Sequence, residues 1–271
     1  MKKEFSVLFY INGKSPFSWL ERSLNSVLSN TVCPSEIIAV VFGPVGQEAK
    51  KRIAQAQART RLQIFSYHAG CNRAEALQTA FSKCSHELVA LQTVDAVSVP
   101  ERFEKQLAYF EKYPQTAVVG GWCEETDKDL PVPIAIREVP EKEEEINVVL
   151  KHSTSLIGRS VMLKKSVVAD VGAGRLFPTF DNAYLWTHLF AKNYPTANLK
   201  EVLVQARACA CPDGLSWPCF HLKKDLFGQM RVLGMISRFT YYRLVSSYFI
   251  RCMLPDYLHC FLRRERLIAD L

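Results

Sequence analysis

No stretch of this 271-residue chain comes near the about 20 consecutive apolar residues that a bilayer-spanning helix needs. The closest candidate, around residues 244–254, is interrupted by Arg251. Internal repeats and low-complexity tracts are absent. No glycine-rich phosphate loop, no nucleophile elbow and no Ser/His/Asp order is present, and His152, His188 and the other histidines lack metal-ligand spacing, so hydrolase and kinase chemistry has no support. No nucleic-acid-binding motif accompanies the charge, which makes nucleic acid an unlikely partner.

What is present describes an ordinary folded protein: 48% of residues are apolar and 23% charged, enough to build a core and solvate a surface. The nine cysteines are odd in number and sit mostly inside apolar runs, which fits buried, reduced thiols rather than a disulfide framework. A reducing, cytoplasmic compartment is therefore expected. The opening segment through Ile11 imitates a secretion signal, but its apolar run is short, contains Ser6 and ends at Asn12-Gly13-Lys14, so it reads as a first strand.

Over the first 120 residues, strand-like and helix-like patterns alternate. Strands are expected at Phe5 to Ile11, Glu36 to Phe42, Leu62 to Tyr67, Glu87 to Gln92 and Ala117 to Trp122. Helices are expected from Phe17 to Leu28, up to about Ala58, from Arg73 to Lys83, and after Pro100, where Phe103, Leu107 and Phe110 form an apolar stripe. This rhythm implies an α/β fold with a mostly parallel sheet covered on both faces. Residues 124–146, rich in acids and prolines, read as a surface loop entering a helix. A strand at Val161 to Leu163, a helix around Asp181 to Lys192 and a strand at Glu201 to Ala206 complete the globular part, and the chain after Gly214 reads as helical, basic and aromatic. In such sheets ligands sit at the carboxyl ends of the strands, which points to Asn12, Gly13, Phe42, Gly43, Thr93 and Asp95.

Several segments together resemble the family 2 glycosyltransferases, which use nucleotide-diphosphate sugars on the Rossmann-like glycosyltransferase A fold. Phe5-Ser-Val-Leu-Phe-Tyr-Ile-Asn-Gly is similar to the opening strand and its Tyr-Asn turn. Trp19-Leu-Glu-Arg-Ser-Leu-Asn-Ser-Val-Leu-Ser-Asn-Thr followed by Pro34-Ser-Glu-Ile-Ile is similar to the first helix and second strand. Ser98-Val-Pro-Glu-Arg-Phe-Glu-Lys-Gln resembles the segment after the acidic metal motif, and Tyr184-Leu-Trp the helix that carries the catalytic acid. The likeness spans roughly residues 4–210, in the family's order.

The resemblance implies an inverting transfer of sugar from a nucleotide donor to a glycan or lipid-linked acceptor, in surface polysaccharide or lipopolysaccharide synthesis. It implies nucleotide contacts from Tyr10, Asn12, Phe42, Gly43, Arg73, Thr93 and Asp95, with Mg²⁺ or Mn²⁺ on Asp95. A cation neutralises the charge of the departing diphosphate, and a carboxylate takes the acceptor's proton. Here the metal motif reads Thr93-Val94-Asp95-Ala96, the acid pair reads Asp181-Asn182, the acidic turn after strand two reads Val41-Phe42-Gly43, and a helix Asn becomes Gln78. Asp181 is then the candidate base, because the amide of Asn182 cannot accept a proton. A strand-end cap for Asp95, a helix cap for Asp181 and a core or base-stacking place for Phe42 stay open. So does a non-catalytic member of the fold that serves as a binding or partner subunit.

Three regions are expected: a nucleotide-sugar half at residues 1–122, an acceptor half at 123–215, and basic amphipathic helices at 216–271. Residues 221–271 hold nine Lys/Arg against four Asp/Glu, +5 of the chain's net +7. Basic residues among Phe227, Met230, Leu233, Tyr241, Tyr242, Phe249, Leu258 and Phe261 suit peripheral contact with the anionic inner face of a membrane; packing of the apolar face on the domain is the alternative. Cys209, Cys211, Cys219 and His221 bracket a Pro-Asp-Gly turn and offer four soft ligands for a zinc site; neither pair has the usual two-residue gap, but residues two apart on a strand share a face, so geometry does not exclude it. Buried thiols are the alternative there.

Overall fold

The computed structural model describes residues 4–58, 60–68, 71, 73–127, 132–150, 155–171, 183–208 and 217–253. The chain divides into two compact units, Met1–Ala208 and Cys209–Leu271. The first unit holds β1 (Phe5–Asn12), α1 (Phe17–Leu28), β2 (Glu36–Phe42), α2 (Gln47–Gln57), β3 (Leu62–Tyr67), α3 (Arg73–Lys83), β4 (Leu88–Thr93), β5 (Ala96–Ser98), α4 (Arg102–Lys112) and β6 (Val118–Thr126). It continues with β7 (Pro133–Arg137), α5 (Glu143–Leu150), a 3-10 turn (Gly158–Ser160), β8 (Met162–Lys164), α6 (Lys165–Asp170), α7 (Ala183–Ala191) and β9 (Thr196–Arg207).

The strands form one sheet in the order β3-β2-β1-β4-β8-β6-β9-β5, with β7 on β6. The α/β class holds, and the sheet is mixed where a mostly parallel one was expected. β1 pairs in parallel with β2 and β4, and β2 with β3, but β8 joins β4 and β6 antiparallel and β5 joins β9 antiparallel. β7 is also a finding against the expected loop: it forms a hairpin edge on β6. Proline is tolerated at the start of an edge strand, where its missing N–H breaks no ladder.

β1 is buried from Phe5 to Ile11 because both faces are covered, and only its last residue, Asn12, is exposed. Phe5, Val7, Phe9 and Ile11 share one core with Leu20, Leu24 and Val27 of α1, Ile53 of α2, and Phe103, Leu107 and Phe110 of α4. The alternate residues Ser6, Leu8 and Tyr10 are buried as well. A sheet grown from β1 toward β3 and then back to β4 places its switch of strand order between β1 and β4, where strand ends diverge and leave a crevice.

The second unit contains α8 (Trp217–Val232) and α9 (Arg238–Met253), packed on each other. The Phe220 ring stacks on Tyr248 at 6.4 Å and meets Phe249 edge-on at 5.6 Å. Arg231 covers the Tyr241 ring. α8 and α9 fall where helices were expected, and residues 254–271 of that expected region lie outside the described residues.

Candidate active site

The strand registers bring the expected residues to one edge. Asn12 lies opposite Phe42, Phe42 opposite Tyr67, and Tyr10 opposite Thr93. Two glycines let the β1 and β2 turns meet main chain to main chain: a side chain at Gly13 would lie 2.4 Å from the Pro44 carbonyl oxygen, and Gly43 has φ 86°. Gly13 N–H donates to the Phe42 carbonyl at 2.8 Å, and the Asn12 side chain accepts from Lys14 N–H at 3.1 Å. Beside these turns opens a cleft of about 300 Å³ lined by Ile11, Asn12, Gly13, Phe17, Leu20, Val45, Gln47, Glu48 and Val94, among others.

Not every expected nucleotide contact faces that space. Tyr10 and Phe42 are buried, with ring centroids 4.9 Å apart, and Phe42 packs 5.8 Å from Tyr67. Phe42 is thus part of the core, and the partly exposed Tyr67 ends this row of rings. Thr93 is buried, and its hydroxyl has no partner among the described residues. Arg73 opens α3. Asp181 and Asn182 lie outside the described residues, as do Cys209 and Cys211. Cys219 and His221 fall in α8 rather than on a strand, and His221 is exposed.

Asp95 follows the β4 end and precedes β5, so the turn projects it at the sheet's edge. Its carboxylate accepts from Arg159 Nη1 at 3.2 Å. Arg159 also reaches the Arg207 carbonyl at 3.5 Å, Arg207 N–H donates to the Asp95 carbonyl at 3.3 Å, and the Arg207 guanidinium lies 3.8 Å from the centre of the Trp19 ring. Arg159 and Arg207 were not singled out from the sequence. They reach Asp95 only through the β5–β9 pairing, which sets Ala96 opposite Ala206, and through the turn ahead of β8.

Beneath this turn lies a buried polar network. Arg102 is wholly buried and donates to Gln92 (2.8 Å), Ser98 (2.9 Å), Gln106 (3.3 Å) and the carbonyls of Leu91 (2.8 Å) and Val161 (3.4 Å). Gln92 in turn donates to the Ala96 carbonyl at 2.7 Å. Burial pulls Arg102 down to about 9, so it remains protonated at neutral pH. Cys123 is buried nearby, and burial pushes its thiol up to about 11.

The donor set does not fit the divalent cation that the fold implies. The first acid position is the buried Thr93, and Asp95 is already paired with a guanidinium that would repel a cation on the same carboxylate. No group of three or more His, Cys, Asp or Glu residues placed to hold a metal occurs among the described residues.

An α/β sheet with a cleft at its strand ends is the architecture of a nucleotide-sugar transferase fold, and comparison with known proteins agrees on the fold and the family. Residues 10–172 match the model of the glycosyl transferase family 2. The chain belongs to this family, and it is a glycosyltransferase. It is 27% identical over 204 residues to the amylovoran biosynthesis glycosyltransferase AmsE of Erwinia amylovora, covering 75% of this chain and 76% of that protein. It is 27% identical over 207 residues to the Escherichia coli UDP-Gal:alpha-D-GlcNAc-diphosphoundecaprenol beta-1,3-galactosyltransferase, covering 75% and 74%. Among solved structures, S. aureus TarS 1–349 superposes with a TM-score of 0.61 at 11% identity over 92% of this chain and 71% of that one, a likeness of fold. The same fragment in complex with UDP-GlcNAc gives a TM-score of 0.59 at 12% identity, over 92% and 72%.

Proposed function

We propose that the enzyme moves a sugar from a nucleoside-diphosphate donor to a glycan or lipid-linked acceptor in surface polysaccharide or lipopolysaccharide synthesis, with inversion. The observation that carries this reading is Asp95 just past the β4 end, one residue after Val94 of the cleft lining and flanked by Arg159 and Arg207. The diphosphate lies toward these charges, and Asn12 and the turn at Gly43 border the nucleoside. Asp181 takes the proton of the acceptor hydroxyl as that oxygen bonds to the anomeric carbon from the face opposite the diphosphate, whose bond to the sugar breaks with its electron pair.

That relatives are named for amylovoran biosynthesis and for a diphosphoundecaprenol-linked substrate supports a lipid-linked acceptor. No helix among the described residues is long and apolar enough to cross a membrane. Within the second unit, Phe239, Tyr242, Phe249, Ile250 and Met253 are exposed. At about 100° per residue they fall within an arc of about 100° on α9. Arg238 and Arg243 flank that arc, an arrangement suited to resting on the anionic inner face of a membrane.

The test is a thermal-shift panel of uridine, guanosine, cytidine and thymidine diphosphates, followed by turnover of the matching donor sugars. One nucleotide should stabilise the protein, and Asp181→Asn should lower turnover by about a hundredfold or more. A flat panel from folded protein, or unchanged turnover in that variant, contradicts the corresponding part of the reading.

A further inference from the structure

We infer that this transferase meets the donor's diphosphate with the guanidinium groups of Arg159 and Arg207 in place of a divalent cation, and that Asp95 holds Arg159 instead of a metal. The inference rests on the transferase reading and adds to it how the leaving group's charge is balanced.

Three observations carry it. The first is the shortage of ligands described above, which extends to the neighbouring acids: Glu124 accepts from Gln205 at 2.9 Å, and Glu125 lies 3.7 Å from Arg137. Both acids of β6 are thus already engaged, one by an amide and one by a guanidinium. The second is charge. At the Asp95 turn itself one carboxylate meets two guanidiniums, and with Glu124, Glu125 and Arg137 on the adjoining strands the cluster is near balance, where a metal site would keep a surplus of negative charge until its ion arrived. A planar guanidinium also matches two phosphate oxygens at once.

The third is preorganisation. Arg159 sits on a turn whose next residue, Ser160, is wholly buried. The Ser160 hydroxyl lies 2.9 Å from the carbonyl oxygens of both Gly121 and Ile157, which share its one proton, and its carbonyl accepts from Gln106 at 2.9 Å. Arg207 is fixed by its N–H on Asp95, by pairing opposite Thr126 and by the Trp19 ring. Both arginine head groups thus leave rigid main chain, while the Arg159 and Asp95 side chains keep 26% and 32% of their surface open to an incoming ligand. A floppy basic surface would lose much of its affinity in ordering such side chains; this one starts ordered.

The experiment is calorimetric titration of the full chain with the same four nucleoside diphosphates, each in EDTA and in MnCl₂, on the parent protein and on Arg159→Met, Arg207→Met and Asp95→Asn, with circular dichroism confirming that each variant is folded. Expected is one nucleotide whose affinity in EDTA is within about threefold of that in Mn²⁺, weakened about tenfold to a hundredfold by either arginine variant, the scale of a charge-assisted bond. Asp95→Asn should bind it in EDTA at least as tightly as the parent, because a negative charge beside the diphosphate is gone. Binding that needs Mn²⁺ and is abolished in Asp95→Asn overturns the inference while leaving the transferase reading in place. No nucleotide binding under either condition overturns both.

Discussion

Arg102 and Arg159 hold the same turn, one from inside the protein and one from its open side, and they do so by opposite means. Arg102 has no acid partner among the described residues; its charge is spread over neutral oxygens of Gln92, Ser98, Gln106 and two carbonyls in the interior. Arg159 has an acid partner, Asp95, and a path to solvent. A buried cation whose donors are all used cannot accept a ligand, whereas a half-open ion pair can exchange its partner. The underside of the turn therefore sets where Asp95 stands, and the open side sets what binds there.

If that division is right, variants on the two sides should fail differently. The largest effect belongs to Arg102→Met, which takes the donor from the Gln106 side-chain oxygen and strips one partner each from Gln92, Ser98 and the Leu91 and Val161 carbonyls in the core, and should cost about 3–5 kcal/mol in urea unfolding. The nucleotide affinity of whatever remains folded should stay within about threefold of the parent, since Arg102 touches no ligand. Gln92→Leu attacks the same network at one point and should cost about 1–3 kcal/mol. A marked loss of affinity at unchanged stability in either variant would break the comparison.

Glu36 sharpens it from another place, as a buried anion held mainly by neutral donors, with the exposed Arg61 guanidinium 3.9 Å away. Its carboxylate accepts from Ser6 Oγ at 2.7 Å and from the main chain and hydroxyl of Ser85. Burial alone would raise it, but those hydrogen bonds prevail and hold it below the usual 4.5. A depressed carboxyl contributes stability that is present above the unfolded value near 4.5 and is lost as pH falls below it. Glu36→Gln should cost about 1–3 kcal/mol at neutral pH and make unfolding less steep on the acid side. Equal acid sensitivity in parent and variant would remove Glu36 from the account.

The smallest effect on stability is expected at the open side. Arg159→Met removes a partly exposed ion pair and should cost no more than about 1 kcal/mol. A loss as large as that of Arg102→Met would make Arg159 a structural residue.

The parallel half of the sheet was legible because its punctuation is local. Pro16 before α1, Gly43-Pro44 after β2 and Pro100 before α4 mark ends that the structure reproduces within a residue or two. The other half was less so. β7 was hidden by Pro131 and Pro133, which read as a loop until an edge strand gave Pro133 a place without a ladder bond. β6 and β9 run longer than their apolar cores because they pair with each other along irregular registers that no short window contains.

The same distinction governs the site. Asn12, Gly43 and Asp95 follow strands and were found by position. Arg159 and Arg207 were missed because nothing near either in sequence names Asp95 as its partner; 64 residues separate Arg159 from Asp95. The one available signal was an isolated arginine in the otherwise uncharged stretch Ser153 to Leu163, just ahead of a predicted strand.

The most direct test of the donor site's place is hydrogen–deuterium exchange with and without the nucleotide that stabilises the protein. Slowed exchange concentrated in the segments around residues 12–13, 93–98, 158–160 and 205–207 is the predicted result. Protection that leaves the Asp95 turn and the Arg159 turn unchanged while appearing elsewhere would contradict it.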